Sequence, residues 1–128
     1  MPNEKEIPSP AGEMPVDFEQ LHSAAGDDLN FLRELADLYF DQAGEILPAL
    51  SAALKKCSAS EVNYLAHRLV GASLSCGMSA MVAPLRELEK RGRNGDLGGA
   101  DEYMAQAAAN LEIVRAAMQA YLRRDNRA

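Results

Sequence analysis

Apolar residues recur every three or four positions along most of this chain, which is the spacing of one face of an α-helix. A short stretch of this kind, VDFEQLHSAA, covers residues 16–25 and ends at Gly26. A much longer stripe begins after Asp27 and Asp28, which are both candidates for the N-cap. Because proline removes a helical hydrogen bond, we expect a kink or a short break at Pro48, inside this stripe. Its apolar members are Leu32, Leu35, Ala36, Tyr39, Ala43, Ile46, Leu47, Leu50 and Leu54.

Three further helices are predicted in the second half of the chain. The first follows residues 58–61, whose sequence SASE has the spacing of a capping box, and it ends near Cys76. The next runs from about residue 79 to residue 91, with Gly92 as its stop. The last follows the NGD turn at residues 94–96 and has an unambiguous helical period.

These stripes predict an all-α fold. Four amphipathic helices joined by short loops bury their apolar faces most simply as an up-and-down four-helix bundle, here with a short N-terminal helix in front. Residues 1–15 hold four of the six prolines, so we expect a disordered or extended tail there. The bundle is expected to span residues 16–124, and residues 125–128 are expected to form a short second tail.

One histidine stands in the stretch LAHRLVGASLSCG, within a predicted helix. On a wheel of about 100° per residue the core face is centred near Val62, and His67 lies about 140° away from it. Val70, Gly71 and Leu74 lie about 80°, 180° and 120° from the same direction, so two apolar side chains are predicted beside an exposed imidazole. A glycine inside a helix costs about 1 kcal/mol relative to alanine, and Gly71 clears room for a partner to approach the ring. The pattern is that of a docking surface around a nucleophile, although an exposed histidine on a helix usually has no function.

Composition excludes several other functions. The chain has 128 residues and a net charge of -6, which argues against a nucleic-acid-binding protein, since such proteins carry clustered Lys and Arg. No apolar run approaches the roughly 20 residues of a membrane span, and MPNEKEIPSP lacks the apolar core of a signal peptide, so a cytoplasmic protein is expected. Cys57 and Cys76 have no CxxC or His-rich partner, and His22 has no ligand-type neighbour at a suitable spacing. No metal site is predicted.

The segment AHRLVGASLSCG resembles the signature of the histidine-containing phosphotransfer (Hpt) domain, which reads His-x-Leu-Lys-Gly-x-Ser/Ala followed by a second glycine. The residues in register are His67, Leu69, Gly71, Ser73 and Gly77. The similarity extends to GDDLNFLRELADLYFDQA before the motif and to LRELEKRGRNGDLGGA after it, and so covers the chain from about residue 17 to residue 122.

This resemblance implies that His67 accepts a phosphoryl group from the phospho-aspartate of a receiver domain and passes it to the aspartate of another receiver. Phosphoryl transfer depends mainly on positioning and charge neutralisation, and in this family the receiver brings the Mg²⁺. We therefore expect a monomeric phosphocarrier rather than an enzyme, with no cofactor of its own and no ATP site. The implied partners are response-regulator receiver domains and a hybrid histidine kinase, and neither nucleic acid nor a membrane.

One departure from the family signature is Val70, which stands where the family commonly has lysine. The valine either enlarges an apolar docking patch with Leu74, or it marks slower transfer or a less stable phosphohistidine. The missing lysine also leaves open an alternative function, a non-phosphorylated binding module that regulates a receiver or a histidine kinase.

Three arginines are candidates for the missing cation. Arg93 matches a position where the family often has Gly-Arg, and it is the preferred contact for the phosphoryl group or the receiver. Arg68 lies about 100° round the helix from His67 and reaches the site only through its long stem. Arg86 is interpreted as a solvated residue on a charged helix face.

Overall fold

The structure is a computed structural model that describes residues 14–26 and 28–127, with side chains described as far as Arg123. This part of the chain forms helices α1 (Phe18–Ala25), α2 (Leu29–Lys55), α3 (Ala59–Cys76), α4 (Ser79–Asn94) and α5 (Ala100–Arg127). Residues 1–13 of the predicted N-terminal tail lie outside the described residues. Helix α5 continues to Arg127, whereas the sequence analysis ended the bundle at residue 124.

Aspartate side chains begin the first two helices. Asp17 accepts a hydrogen bond from the backbone N–H of Gln20 at 3.1 Å, at the start of α1. Asp28 accepts from the backbone N–H groups of Asn30 and Phe31 at 2.9 and 3.2 Å, at the start of α2. These bonds satisfy N–H groups that have no partner within the helix. Asp28 is thus confirmed as an N-cap, and Asp27 lies outside the described residues.

One prediction about helix boundaries is narrowed and another is corrected. Helix α2 runs through Pro48 without a break, so the short break is excluded and the kink stays a prediction. Ser58 is the N-cap of α3, but its side chain makes no capping hydrogen bond, so the capping box does not form. The carboxylate of Glu61 instead pairs with Lys56 Nζ at 3.3 Å.

The four long helices follow one another round the bundle, with α5 returning to pack against α2. The predicted all-α bundle with a short N-terminal helix is confirmed. One buried polar pair joins α2 to α3: the hydroxyl oxygens of Tyr39 and Ser73 lie 2.7 Å apart, and Ser73 also donates to the carbonyl of Leu69 at 2.7 Å. Burial raises the pKa of the Tyr39 hydroxyl to about 12. The apolar side chains around this pair form the core.

Helices α3 and α4 approach each other closely at Gly92. A Cβ atom at this position would lie 2.5 Å from the backbone nitrogen of Asn63 and 2.7 Å from the carbonyl oxygen of Ala59. The prediction that Gly92 ends α4 is wrong, because the helix continues to Asn94 and is capped by Gly95 with φ 72°. Glycine is required at position 92 for helix contact rather than for a turn.

Among the helices in residues 14–26 and 28–127, none combines the length and the apolar character needed to cross a lipid bilayer.

Candidate functional site

The His67 side chain is 72% exposed on the outer face of α3. Its Nδ1 atom lies 2.6 Å from Oε2 of Glu89 in α4, whose own side chain is only 15% exposed. Because a carboxylate can only accept a hydrogen bond, this contact assigns the proton to Nδ1. In the neutral ring the free lone pair is then on Nε2. The histidine is therefore held in one orientation with its second nitrogen available for reaction.

Glu89 is positioned by the close contact between α3 and α4. Asn63 Nδ2 donates to the backbone carbonyl of Glu89 at 2.9 Å, one turn before His67 in α3. Gly92, one turn after Glu89, lets the two backbones approach each other. Together these contacts fix the height and rotation of α4 at the point where its carboxylate reaches the imidazole.

Glu89 was not among the site residues predicted from the sequence. A weak signal was present, since Glu89 lies about 40° from Leu85 on the helical wheel and so places a carboxylate at the edge of the apolar stripe of α4. Charged residues at such edges usually extend into solvent. Only the position of α3 shows that this one contacts a histidine.

Two of the predicted outer-face residues lie where the pattern placed them. Gly71 is exposed, and a Cβ atom there would meet nothing within 4 Å. The side chain of Leu74 is exposed as well, at 48%. The open space at Gly71 shows that packing among the described residues does not require a glycine there.

The prediction that Val70 faces outward is wrong, because only 4% of it is exposed. Val70 follows Asn63 by seven residues and so shares its face of α3, and this face is the one covered by α4. The close approach at Gly92 lets α4 cover a wider arc of α3 than the wheel assumed. Val70 therefore forms no exposed apolar patch with Leu74.

The arginines proposed from the sequence occupy opposite sides of His67. Arg68 lines a groove with residues of α2, and its guanidinium carbon lies 5.8 Å from the ring centroid of Tyr64. Arg93 is exposed in the last turn of α4, four residues after Glu89, rather than in the following loop. Arg93 and the third candidate, Arg86, both lie in α4, the helix whose Glu89 contacts the imidazole.

A further apolar side chain near the site was missed. Leu38 of α2 is 63% exposed and lines a groove between α2 and α3, together with Arg68 and Ala72. From the pattern of α2 alone, Leu38 is an ordinary exposed residue. Only the groove between the two helices places Leu38 next to the outer face of α3.

Comparison with known proteins identifies the family. The Hpt domain family matches residues 34–122, which is more than half of the chain. The chain is an Hpt domain. The structure of histidine-containing phosphotransfer protein B from Pseudomonas aeruginosa PAO1 resembles this Hpt domain with a TM-score of 0.79 and 26% sequence identity, over 86% of this chain and 96% of that chain. A comparison with curated proteins gave no significant match.

Membership in this family establishes the general function. Hpt domains are phosphocarriers rather than classical enzymes, and they interact with receiver domains and histidine kinases in phosphorelays. This Hpt domain is a histidine phosphotransfer protein of phosphorelay signalling.

Proposed function

We propose that His67 is the phosphoryl acceptor and that the phosphoryl group is carried on Nε2. The observation that supports this assignment is the contact between Nδ1 and the mostly buried Glu89 carboxylate at 2.6 Å, on a ring that is 72% exposed. The contact leaves Nε2 as the nucleophilic atom and holds the ring for in-line attack.

In the transfer step the Nε2 lone pair attacks the phosphorus of the aspartyl phosphate of a receiver. The Nε2–P bond forms as the bond from phosphorus to the aspartate oxygen breaks, and the receiver keeps a carboxylate. The ring retains its proton on Nδ1 and becomes a cationic imidazolium, whose charge the Glu89 carboxylate offsets. In the reverse step a carboxylate oxygen of another receiver attacks phosphorus, and the neutral imidazole leaves.

The receiver docks over the outer face of α3 in this proposal. Gly71 admits the partner close to the helix backbone, and Leu74 and Leu38 supply exposed apolar contacts. Arg93 is the proposed contact for the receiver or for phosphoryl oxygens from the α4 side, and Arg68 is the proposed contact from the α2 side. Val70 contributes to the packing of α3 on α4 rather than to the docking surface.

The remaining parts of the proposal concern what the partner brings. The receiver supplies the Mg²⁺ that neutralises charge in the transition state, so the Hpt domain needs no metal or nucleotide of its own. We propose that it acts as a monomer in the cytoplasm, between the receiver of a hybrid histidine kinase and a response regulator. It does not label itself with ATP.

The deciding experiment is transfer from a phosphorylated receiver, with Mg²⁺, to the intact chain and to two matched variants. His67→Gln is expected to abolish acid-labile label, whereas His22→Gln, which removes the other histidine, is expected to accept label at the parent rate. Equal labelling of His67→Gln and the parent contradicts the assignment. An unlabelled parent that still binds a panel of receivers would support the alternative, a binding module that carries no phosphoryl group.

A further inference from the structure

A phosphoryl group on Nε2 would bring negative charge to a site that already contains a negatively charged carboxylate. Its oxygens carry most of that charge, and the Glu89 carboxylate lies 2.6 Å from the other nitrogen of the same ring. The chain as a whole has a net charge of -6. Charge of this kind is stabilised by a nearby cation, most effectively by an arginine that can form two hydrogen bonds at once.

Helix α3 supplies no cation on the α4 side of the turn that follows His67. Val70 is buried with only 4% exposed, and Gly71 has no side chain. Arg68 lies on the α2 side, where its guanidinium contacts the Tyr64 ring.

Helix α4 has an arginine at the matching height. The short loop between α3 and α4 makes them antiparallel, so residues before Glu89 in α4 lie beside residues after His67 in α3. Gly92 meets the backbone of Ala59 and Asn63, and Arg86 precedes Gly92 by six residues, about 9 Å along the axis, so it lies level with residues 67–69 of α3. On the wheel of α4 it lies about 60° from Glu89.

Arg86 is exposed and is not engaged elsewhere. Its guanidinium has no hydrogen bond or ion pair with any residue of the described ranges, 14–26 and 28–127. The other basic residues next to it differ, because Lys90 and Arg91 both lie 4.0 Å from the carboxylate of Glu87. Arg86 is therefore available to a ligand without loss of an existing contact.

We propose that Arg86 binds the phosphoryl oxygens on His67 during transfer and supplies, from α4, the cation that α3 lacks at Val70. This inference rests on the proposed function. Gly71 adds to it, because a Cβ atom there would meet no described atom within 4 Å, so a partner can approach this face of α3 closely. As a group that touches the transferred phosphoryl, Arg86 is a catalytic residue by this proposal.

The test compares transfer from a phosphorylated receiver to the parent, Arg86→Ala, Arg86→Lys and Lys90→Ala, at several salt concentrations. A charge-assisted hydrogen bond to the transferred group predicts a loss of roughly 10-fold in the transfer rate of Arg86→Ala at saturating receiver. Arg86→Lys is expected to recover part of this loss, and Lys90→Ala, which removes an equal charge one turn away, is expected to stay within about 2-fold of the parent. Thermal melts check that all four proteins are equally folded.

Each other outcome overturns the proposal in a distinguishable way. If Arg86→Ala transfers as fast as the parent, the assignment is wrong and His67 remains the acceptor. If Arg86→Ala and Lys90→Ala lose rate equally and high salt removes both losses, the effect is general attraction between the proteins and not contact with the phosphoryl group. If the parent accepts no label at all, the proposed function fails and this inference fails with it.

Discussion

The two histidines of this Hpt domain occupy opposite kinds of environment. His67 is 72% exposed and contacts one carboxylate, Glu89, through Nδ1. His22 is half-buried between α1 and α5, where its Nε2 lies 2.5 Å from the hydroxyl of Tyr121. The Tyr121 ring also stacks on Phe18, with centroids 4.2 Å apart. The His67 imidazole is oriented by Glu89 and has an exposed second nitrogen, whereas the His22 imidazole connects α1 to α5.

The difference between the two sites shows what makes an imidazole available for chemistry. At His67 the neighbouring helix fixes one ring nitrogen and leaves the other free. At His22 an aromatic cluster covers the ring edge-on and a hydroxyl occupies Nε2. Substitutions that act on only one of these two regions, or on the core behind them, test this contrast.

The largest effect after loss of His67 itself is expected at Glu89. Glu89→Ala removes the partner of Nδ1, so the ring can rotate and the imidazolium loses its counter-charge; we expect transfer to fall about 10- to 100-fold. Glu89→Gln can still accept the hydrogen bond and should lose less. Rapid-quench transfer assays with a phosphorylated receiver measure both.

Glu87→Gln is the control for Glu89, since it removes a carboxylate from the same helix that faces Lys90 and Arg91 instead. Unchanged transfer in Glu89→Ala would show that the contact with Nδ1 does not orient the nucleophile.

The second largest effect is expected from a substitution that disturbs the contact between α3 and α4. Gly92→Ala puts a Cβ atom 2.5 Å from the Asn63 nitrogen, so the helices must separate, at a cost of about 1 to 3 kcal/mol in the free energy of unfolding. Because Glu89 moves with α4, transfer should fall as well. Urea denaturation and the transfer assay check the two parts.

Gly44→Ala is a matched substitution in α2, where a Cβ atom meets nothing within 4 Å. It should stabilise the protein by roughly 0.5 to 1 kcal/mol through helix propensity. Equal effects of the two glycine substitutions would contradict the close approach at Gly92.

The pair formed by Tyr39 and Ser73 tests the core behind the histidine helix. Burial raises the Tyr39 pKa from 10.0 to about 12, so folding favours the neutral hydroxyl. Its contribution to stability is therefore complete below pH 10 and is lost as the pH rises through about 12. Tyr39→Phe should cost about 1 kcal/mol at pH 8, and the difference from the parent should shrink near pH 11. Chemical denaturation of both proteins at the two pH values measures it, and a difference that grew with pH would be inconsistent with a buried neutral tyrosine.

The smallest effect is expected in the His22 region. Tyr121→Phe removes the hydroxyl that contacts His22 and keeps the ring that stacks on Phe18. We expect a loss of roughly 0.5 to 1 kcal/mol of stability and a transfer rate within about 2-fold of the parent. A large fall in transfer would show that this end of the bundle is coupled to His67, and the contrast between the two histidines would then be wrong.

Much of this protein could be read from the period of its apolar residues. The five helices, the bundle, the N-cap at Asp28 and the exposure of His67, Gly71 and Leu74 all follow from angles about a single helix axis. Such angles depend on local geometry alone, so the chain determines them before any two helices meet.

What the tertiary structure decided depends on where a neighbouring helix lies. Val70 at about 80° from the core direction is buried because α4 approaches closely enough to cover it. Glu89 contacts His67, and Arg86 lies level with the turn that holds His67, because Gly92 sets the distance between α3 and α4 and Asn63 anchors their register. The sequence determined which side of each helix is exposed and could react. Packing determined which residues of the neighbouring helices contact that side. Contacts between distant residues follow from interhelical distance and register, and no single helix encodes these.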